Sequence, residues 1–176
     1  TDGVNLNGKV DISEVEDIEF NRFNFTYGSS ESINLENLDL DLNKGKMLGI
    51  VGKTGSGKTT LIRQLLNQYP IGSGAFNMGG NAYHHYQDPA LRRLIGYVPQ
   101  DHVLFSRSVR ENISFGKTGA TDEEIMTSIR YASFEEDLKK MERGLDTLIG
   151  EKGMSISGGQ KQRISIARAF LKNSPI

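Results

Sequence analysis

The run Gly52-Lys53-Thr54-Gly55-Ser56-Gly57-Lys58-Thr59 satisfies G-x-x-x-x-G-K-[ST], a pattern expected by accident in roughly one chain of this size in a hundred. Its surroundings narrow the reading further. Before it stands Met47-Leu48-Gly49-Ile50-Val51, apolar throughout, as a strand covered on both faces of a parallel sheet should be. After it, Leu61, Ile62, Leu65, Leu66 and Tyr69 recur at helical spacing up to Pro70. Strand, glycine loop and helix in that order predict an α/β fold built around a phosphate-binding turn; an ordinary glycine-rich turn needs neither neighbour.

The chemistry follows from the residue types. Glycines let the backbone wrap a phosphate with its N–H groups, and a helix starting near Lys58 offers unpaired amides with about half a positive charge. Lys58 adds a full charge and is assigned to the β and γ phosphates. The Thr59 hydroxyl is assigned to Mg²⁺, a hard ion that needs few protein ligands when triphosphate oxygens hold it. Gly52, Lys53, Thr54, Gly55, Ser56, Gly57 and Thr60 complete the candidate contacts, with Lys53 at a variable position where a solvated side chain is the plainer reading.

Residues 1–17 are polar and acidic without periodicity and read as a linker or leader. From Ile18 the sequence alternates, slips parity at Asn21-Arg22 and resumes through Phe23, Phe25 and Tyr27, which predicts a bulged strand ending at Gly28. A second alternating run over residues 33–42 slips at Asn37. Asp88-Pro89 reads as an N-cap with proline at the first helical position, for a short helix to Leu94, and Ile95-Gly96-Tyr97-Val98 returns to strand. Ser108-x-x-Glu111 and Thr121-x-x-Glu124 are capping boxes that open helices, and residues 108–141 hold no convincing strand. A glycine-rich loop over 144–160 leads into a helix lined by Ile164, Ala167 and Leu171 that ends near Asn173.

A phosphate loop alone fits kinases, GTPases, helicases and transport ATPases. The run Ile156-Ser157-Gly158-Gly159-Gln160-Lys161-Gln162-Arg163 separates them: it resembles the signature of ATP-binding cassette proteins, with Ile where Leu is usual. Four further matches appear in the family's order. They are the phosphate loop itself, Tyr27 where an aromatic stacks on adenine, Gln100 where a glutamine reaches Mg²⁺ or its water, and residues 147–153, an acidic loop met before the signature in exporters. Taken alone, Tyr27 would be core packing, Gln100 a solvated strand exit, and Ser157 a simple helix cap.

The resemblance implies a P-loop NTPase with a parallel core sheet, an N-terminal antiparallel β subdomain and a helical insertion. Core and β subdomain would occupy about 18–100 and the helical subdomain about 101–165, within a nucleotide-binding domain over 18–176. It implies ATP and Mg²⁺ as cofactors, Thr59 and Gln100 as the metal's protein contacts, and Ser157, Gly158, Gly159 and Gln160 as contacts to the ATP of a second nucleotide-binding domain. It also implies transmembrane partners reached through their coupling helices, a place on the cytoplasmic face of the membrane, and an exporter's ATPase. The wording of residues 52–57, 97–105 and 108–115 is similar to one subunit of bacterial heterodimeric multidrug exporters. The runner-up is an ATP-gated dimerisation module that binds nucleotide without useful hydrolysis.

Family members continue past the signature helix into a strand that ends in the Walker B Asp, followed by a catalytic Glu, an aspartate loop and a switch histidine. Ile176 would be that strand's first residue, so little or no turnover is expected of these 176 residues, and exposed apolar surface is expected around Ile50. His84, His85 and His102 match no family position and read as surface residues. A net charge of −1 with Lys and Arg dispersed among Asp and Glu disfavours nucleic acid, and the absence of cysteine excludes disulfides and thiolate zinc sites.

Overall fold

The computed structural model describes residues 17–28, 33–86, 88–150 and 153–176. The leader expected over 1–17 therefore lies, apart from Asp17, outside the described residues. Contacts divide the chain into two compact units, one of residues up to 95 together with 175–176 and the other covering 96–174.

The first unit is built on an antiparallel sheet of order β2-β1-β3-β4, from β1 (Asp17–Phe25), β2 (Leu35–Asn43), β3 (Ser73–Met78) and β4 (Asn81–Ala82). Both parity slips read from the sequence are bulges. Arg22 in β1 and Asn37 in β2 take positive φ, +43° and +45°, and the β1–β2 register shifts between Phe20 and Phe25. One extra residue at Arg22 is what lets Ile18, Phe20, Phe23 and Phe25 all face inward although 20 and 23 differ in parity. Arg22 N–H donates to Asp39 Oδ1 and Asn37 N–H to Asn24 Oδ1, so neither bulge wastes its donor. Phe76 stacks between Phe20 and Tyr83, with ring centroids 4.1 and 4.0 Å away. Burial of each such ring contributes about 1.5–3 kcal/mol.

Helix α1 (Lys58–Leu65) follows the glycine loop as expected. Its buried positions are Thr60, Leu61 and Gln64, while Leu65, Leu66 and Tyr69 pack half-buried on the same core. The helix stops well before Pro70, because Asn67 turns left-handed at φ +52° and its N–H closes on Gln64 O. Helix α2 spans Asp88–Leu94, and the cap expected of Asp88 rests on a side chain outside the described residues.

The expected parallel core sheet is a correction. Among the described residues neither 47–51 nor 95–98 belongs to any strand ladder. Apolarity alone does not make a strand without a neighbour, and Met47 (100% exposed) and Val51 (92%) lie open to solvent. Exposed apolar surface around Ile50 is thus present.

The second unit is helical. Helix α3 (Val109–Ser114), α4 (Asp122–Tyr131), α5 (Glu135–Lys139) and α6 (Gly158–Lys172) enclose Val109, Ile113, Ile125, Ile129, Phe134, Ile164 and Ala167. Both expected capping boxes are complete, with Ser108 and Thr121 accepting from the N–H of Glu111 and Glu124 while those carboxylates accept in return. The stripe Ile164, Ala167 and Leu171 is buried as read, and Asn173 ends α6 in the left-handed conformation at φ +52°. Asn112, fully buried, donates to the carbonyls of Phe105 and Ser108 and accepts from Phe105 N–H, tying the segment before α3 to the helix.

Candidate functional site

Residues 52–57 form a loop folded around the ammonium of Lys58. Lys58 Nζ donates to Gly52 O and Lys53 O, both at 2.8 Å, and lies 3.4 Å from Ser56 Oγ. The loop closes by a turn from Ser56 N–H to Lys53 O. Helix α1 begins immediately after, with Gly57 as N-cap at φ +85° and no side-chain cap. Alanine could not stand there: its Cβ would be 2.7 Å from Asn34 O and 2.9 Å from a Leu35 methyl. Close seating against the start of β2 therefore fixes where the loop ends and the helix begins.

The first turn of α1 is accordingly left with amides that no side chain of its cap satisfies, at the positive end of the helix dipole. Thr59 is exposed, its hydroxyl available to a hard cation, and Thr60 is buried. Gly52, Lys53, Thr54, Gly55 and Ser56 are exposed on the loop. This arrangement fits a polyphosphate, and the single hydroxyl of Thr59 suits Mg²⁺ held mostly by phosphate oxygens.

Tyr27 stands in the same unit. Its hydroxyl donates to Thr60 Oγ1 at 3.2 Å, and its ring meets Phe25 and Tyr69 edge-on at 5.0 and 4.8 Å. The ring is half-buried, partly in the core and partly available. Asn34, which no sequence signal marked, holds both parts together: its Oδ1 accepts from Tyr27 N–H at 2.9 Å, and its carbonyl is the atom that Gly57 abuts.

In the other unit, Ser157 caps α6. Its Oγ accepts from Gln160 N–H at 3.2 Å, and Gln160 Oε1 accepts from Ser157 N–H at 2.9 Å, a capping box. Because Oγ accepts within the helix, its own proton is free to donate outward. A Cβ at Gly158 would meet nothing within 4 Å, and one at Gly159 only side-chain atoms at ordinary contact distance, the Arg163 guanidinium at 3.6 Å and Ser157 Oγ at 4.0 Å. Glycine inside a helix costs roughly 1 kcal/mol against alanine. Neither space nor backbone among the described residues calls for it at these two positions, which leaves the start of α6 without side chains.

Gln100 is exposed, and so is Asp101 after it. The loop expected over 147–153 is described except for residues 151 and 152; Thr147 is buried and Ile149 pairs in a short parallel bridge with Met154. His84 and His85 are exposed as expected, their rings 4.3 Å apart, whereas His102 is half-buried with Nδ1 enclosed and without a partner. Among the described residues no cluster of His, Cys, Asp or Glu is placed to hold a metal, and no helix is long and apolar enough to cross a membrane.

A sequence model described as "ABC transporter" matches residues 35–176. The chain belongs to the ABC transporter family. Among its relatives, a probable multidrug resistance ABC transporter ATP-binding/permease protein of Bacillus subtilis, YheI, is 51% identical over 176 residues, covering 100% of this chain and 30% of that protein. A putative multidrug export ATP-binding/permease protein of Staphylococcus aureus is 39% identical over 169 residues, covering 96% of this chain and 28% of its own length. Among solved structures, a bacterial Atm1-family ABC exporter with ATP bound matches with a TM-score of 0.88 at 33% identity, over 97% of this chain and 30% of that one. The chain thus spans about 30% of the length of these ABC proteins.

Proposed function

We propose that the chain binds MgATP at residues 52–60 and, within the ATPase domain of an ABC exporter, clamps the ATP of a second such domain through residues 157–160. The observation that carries this reading is the first turn of α1, which lacks a side-chain cap and lies beside the gathered Lys58 ammonium. Uncapped amides, the positive end of a helix dipole and a full cationic charge converge there on one loop.

Lys58 exchanges its carbonyl partners for β and γ oxygens, the amides of the loop take the remaining phosphate oxygens, and Thr59 ligates Mg²⁺. Tyr27, held at Thr60, offers its ring to the adenine. Catalysis in such a site is mostly positioning and charge stabilisation. The Ser157 hydroxyl, the bare helix end behind it and the two glycines supply the second half of the clamp. Pairing of two domains on ATP, and their release after hydrolysis, drives transmembrane partners that the loop over 147–153 contacts, on the cytoplasmic face of the membrane. The names of the relatives point to export, and the ATP bound in the matched exporter structure suits the same chemistry.

Replacing Lys58 tests it. Lys58→Ala is expected to abolish MgATP binding measured by titration calorimetry, and an affinity within about twofold of the unaltered protein would remove the phosphate-site assignment.

A further inference from the structure

The geometry points to Asp137 as the positioning residue of the Ser157 clamp, an inference that rests on reading Ser157 as an ATP contact. Asp137 lies in α5, away from the signature in sequence, and its side chain is only 19% exposed. Its Oδ1 accepts from Gln160 Nε2 at 3.1 Å, and its Oδ2 accepts from Arg163 Nε at 3.0 Å and from the same guanidinium's Nη2 at 2.8 Å. One carboxylate therefore holds two residues of α6.

The consequence lies in the chemistry of the Gln160 amide. An ionised carboxylate only accepts, so Gln160 must turn its NH₂ toward Asp137. That orientation leaves Oε1, and nothing else, to face Ser157 N–H, which is the reciprocal half of the capping box. Ser157 is thereby held in the extended conformation (φ −68°, ψ 162°) that places its hydroxyl at the mouth of the helix. Arg163 plays a second part: by pairing with Asp137 it balances a negative charge that would otherwise oppose an anion at the α6 N-terminus. The other two capping boxes are closed differently, by the carboxylates of Glu111 and Glu124, which accept from the cap N–H whichever oxygen they present.

Asp137→Asn is the informative change, because it keeps the shape while offering an NH₂ group that no longer dictates which way Gln160 turns. In the full-length gene product, kcat for ATP hydrolysis and the affinity for trinitrophenyl-ATP are measured for D137N, S157A, the double variant, and E136Q as a control of the same helix turn. D137N is expected to lower kcat about tenfold with nucleotide affinity unchanged, E136Q to leave both unchanged, and the double variant to match S157A alone. A merely structural role would lower the melting temperature without that split between kcat and affinity, and would multiply with S157A; either result overturns the inference. If S157A impairs turnover and D137N does not, Asp137 has no positioning role. If S157A itself leaves kcat intact, the reading of Ser157 falls and this inference falls with it.

Discussion

Two helix starts in this chain solve one electrostatic problem in opposite ways. At α1 the cap is Gly57, which has no side chain, and the amides of the first turn are left for a ligand. At α6 the cap is Ser157, and a reciprocal box with Gln160 satisfies two of the terminal N–H groups from within while leaving a hydroxyl proton and two bare glycines. The difference suits two jobs. A site that must surround a triphosphate needs its donors unsatisfied beforehand, whereas one that closes on a neighbour's ligand must hold its shape while waiting. The glycines separate along the same line: Gly57 is demanded by its φ and by Asn34, and Gly158 and Gly159 are demanded by nothing among the described residues.

The largest effect expected from breaking this contrast is at Gly57. A φ of +85° costs alanine roughly 1–2 kcal/mol, and the added Cβ would press on the Asn34 carbonyl at 2.7 Å, backbone that cannot rotate aside. The loop must lift from β2, taking Lys58 and the amides out of register. Gly57→Ala is expected to weaken MgATP binding by at least about a hundredfold in calorimetry, while Gly158→Ala leaves that affinity unchanged.

That asymmetry also marks what the sequence could and could not disclose. The phosphate loop, both capping boxes and both bulges were legible because each is written in consecutive residues whose types have one physical use: a parity slip at Asn21-Arg22 can only be a bulge if both halves of the strand face one core. Asn34 and Asp137 were not legible. Each acts on a residue that folding brings to it, Asp137 on Gln160 and Arg163 more than twenty positions away, and neither has a local pattern to betray it. The parallel strands failed for the complementary reason: apolarity in 47–51 reports that something should cover the segment, without saying that its cover lies among the described residues.

A smaller effect is expected from altering the α6 cap while keeping it a cap. Aspartate serves at an N-cap as well as serine and favours the helix dipole, so Ser157→Asp should leave the melting temperature unchanged or slightly raised. The same carboxylate would face the triphosphate of a partner. A unit charge about 8 Å from another at an effective dielectric constant near 20 is worth about 2 kcal/mol, or roughly thirtyfold. ATP-dependent pairing, followed by cross-linking of two domains, is therefore expected to weaken about thirtyfold in a protein that is no less stable. Loss of pairing in step with loss of stability would instead reduce Ser157 to a structural cap.

The smallest effect separates the boxes by what closes them. Glu111 is held below its ordinary value of 4.5 chiefly by the Ser108 N–H, then by the Ser108 hydroxyl, and Glu124 chiefly by Lys117, then by the Thr121 N–H. A carboxylate whose folded pKa lies below its unfolded one lends stability that is fully present above about 4.5 and disappears as the pH falls through the folded value. The caps of α3 and α4 should therefore loosen in mild acid. Gln160 carries no titrating proton of its own, so the cap N–H of α6 is met by a neutral amide oxygen and not by a carboxylate. Thermal melts from about pH 7 down to about pH 3 are expected to show a loss of stability below about 4.5 that is reduced in Glu111→Gln and Glu124→Gln, each of which retains an oxygen for the cap. Gln160→Ala should lower the melting temperature at about pH 7, where all three boxes are closed, and an unchanged melting temperature would mean that the amide of Gln160 is not what closes α6.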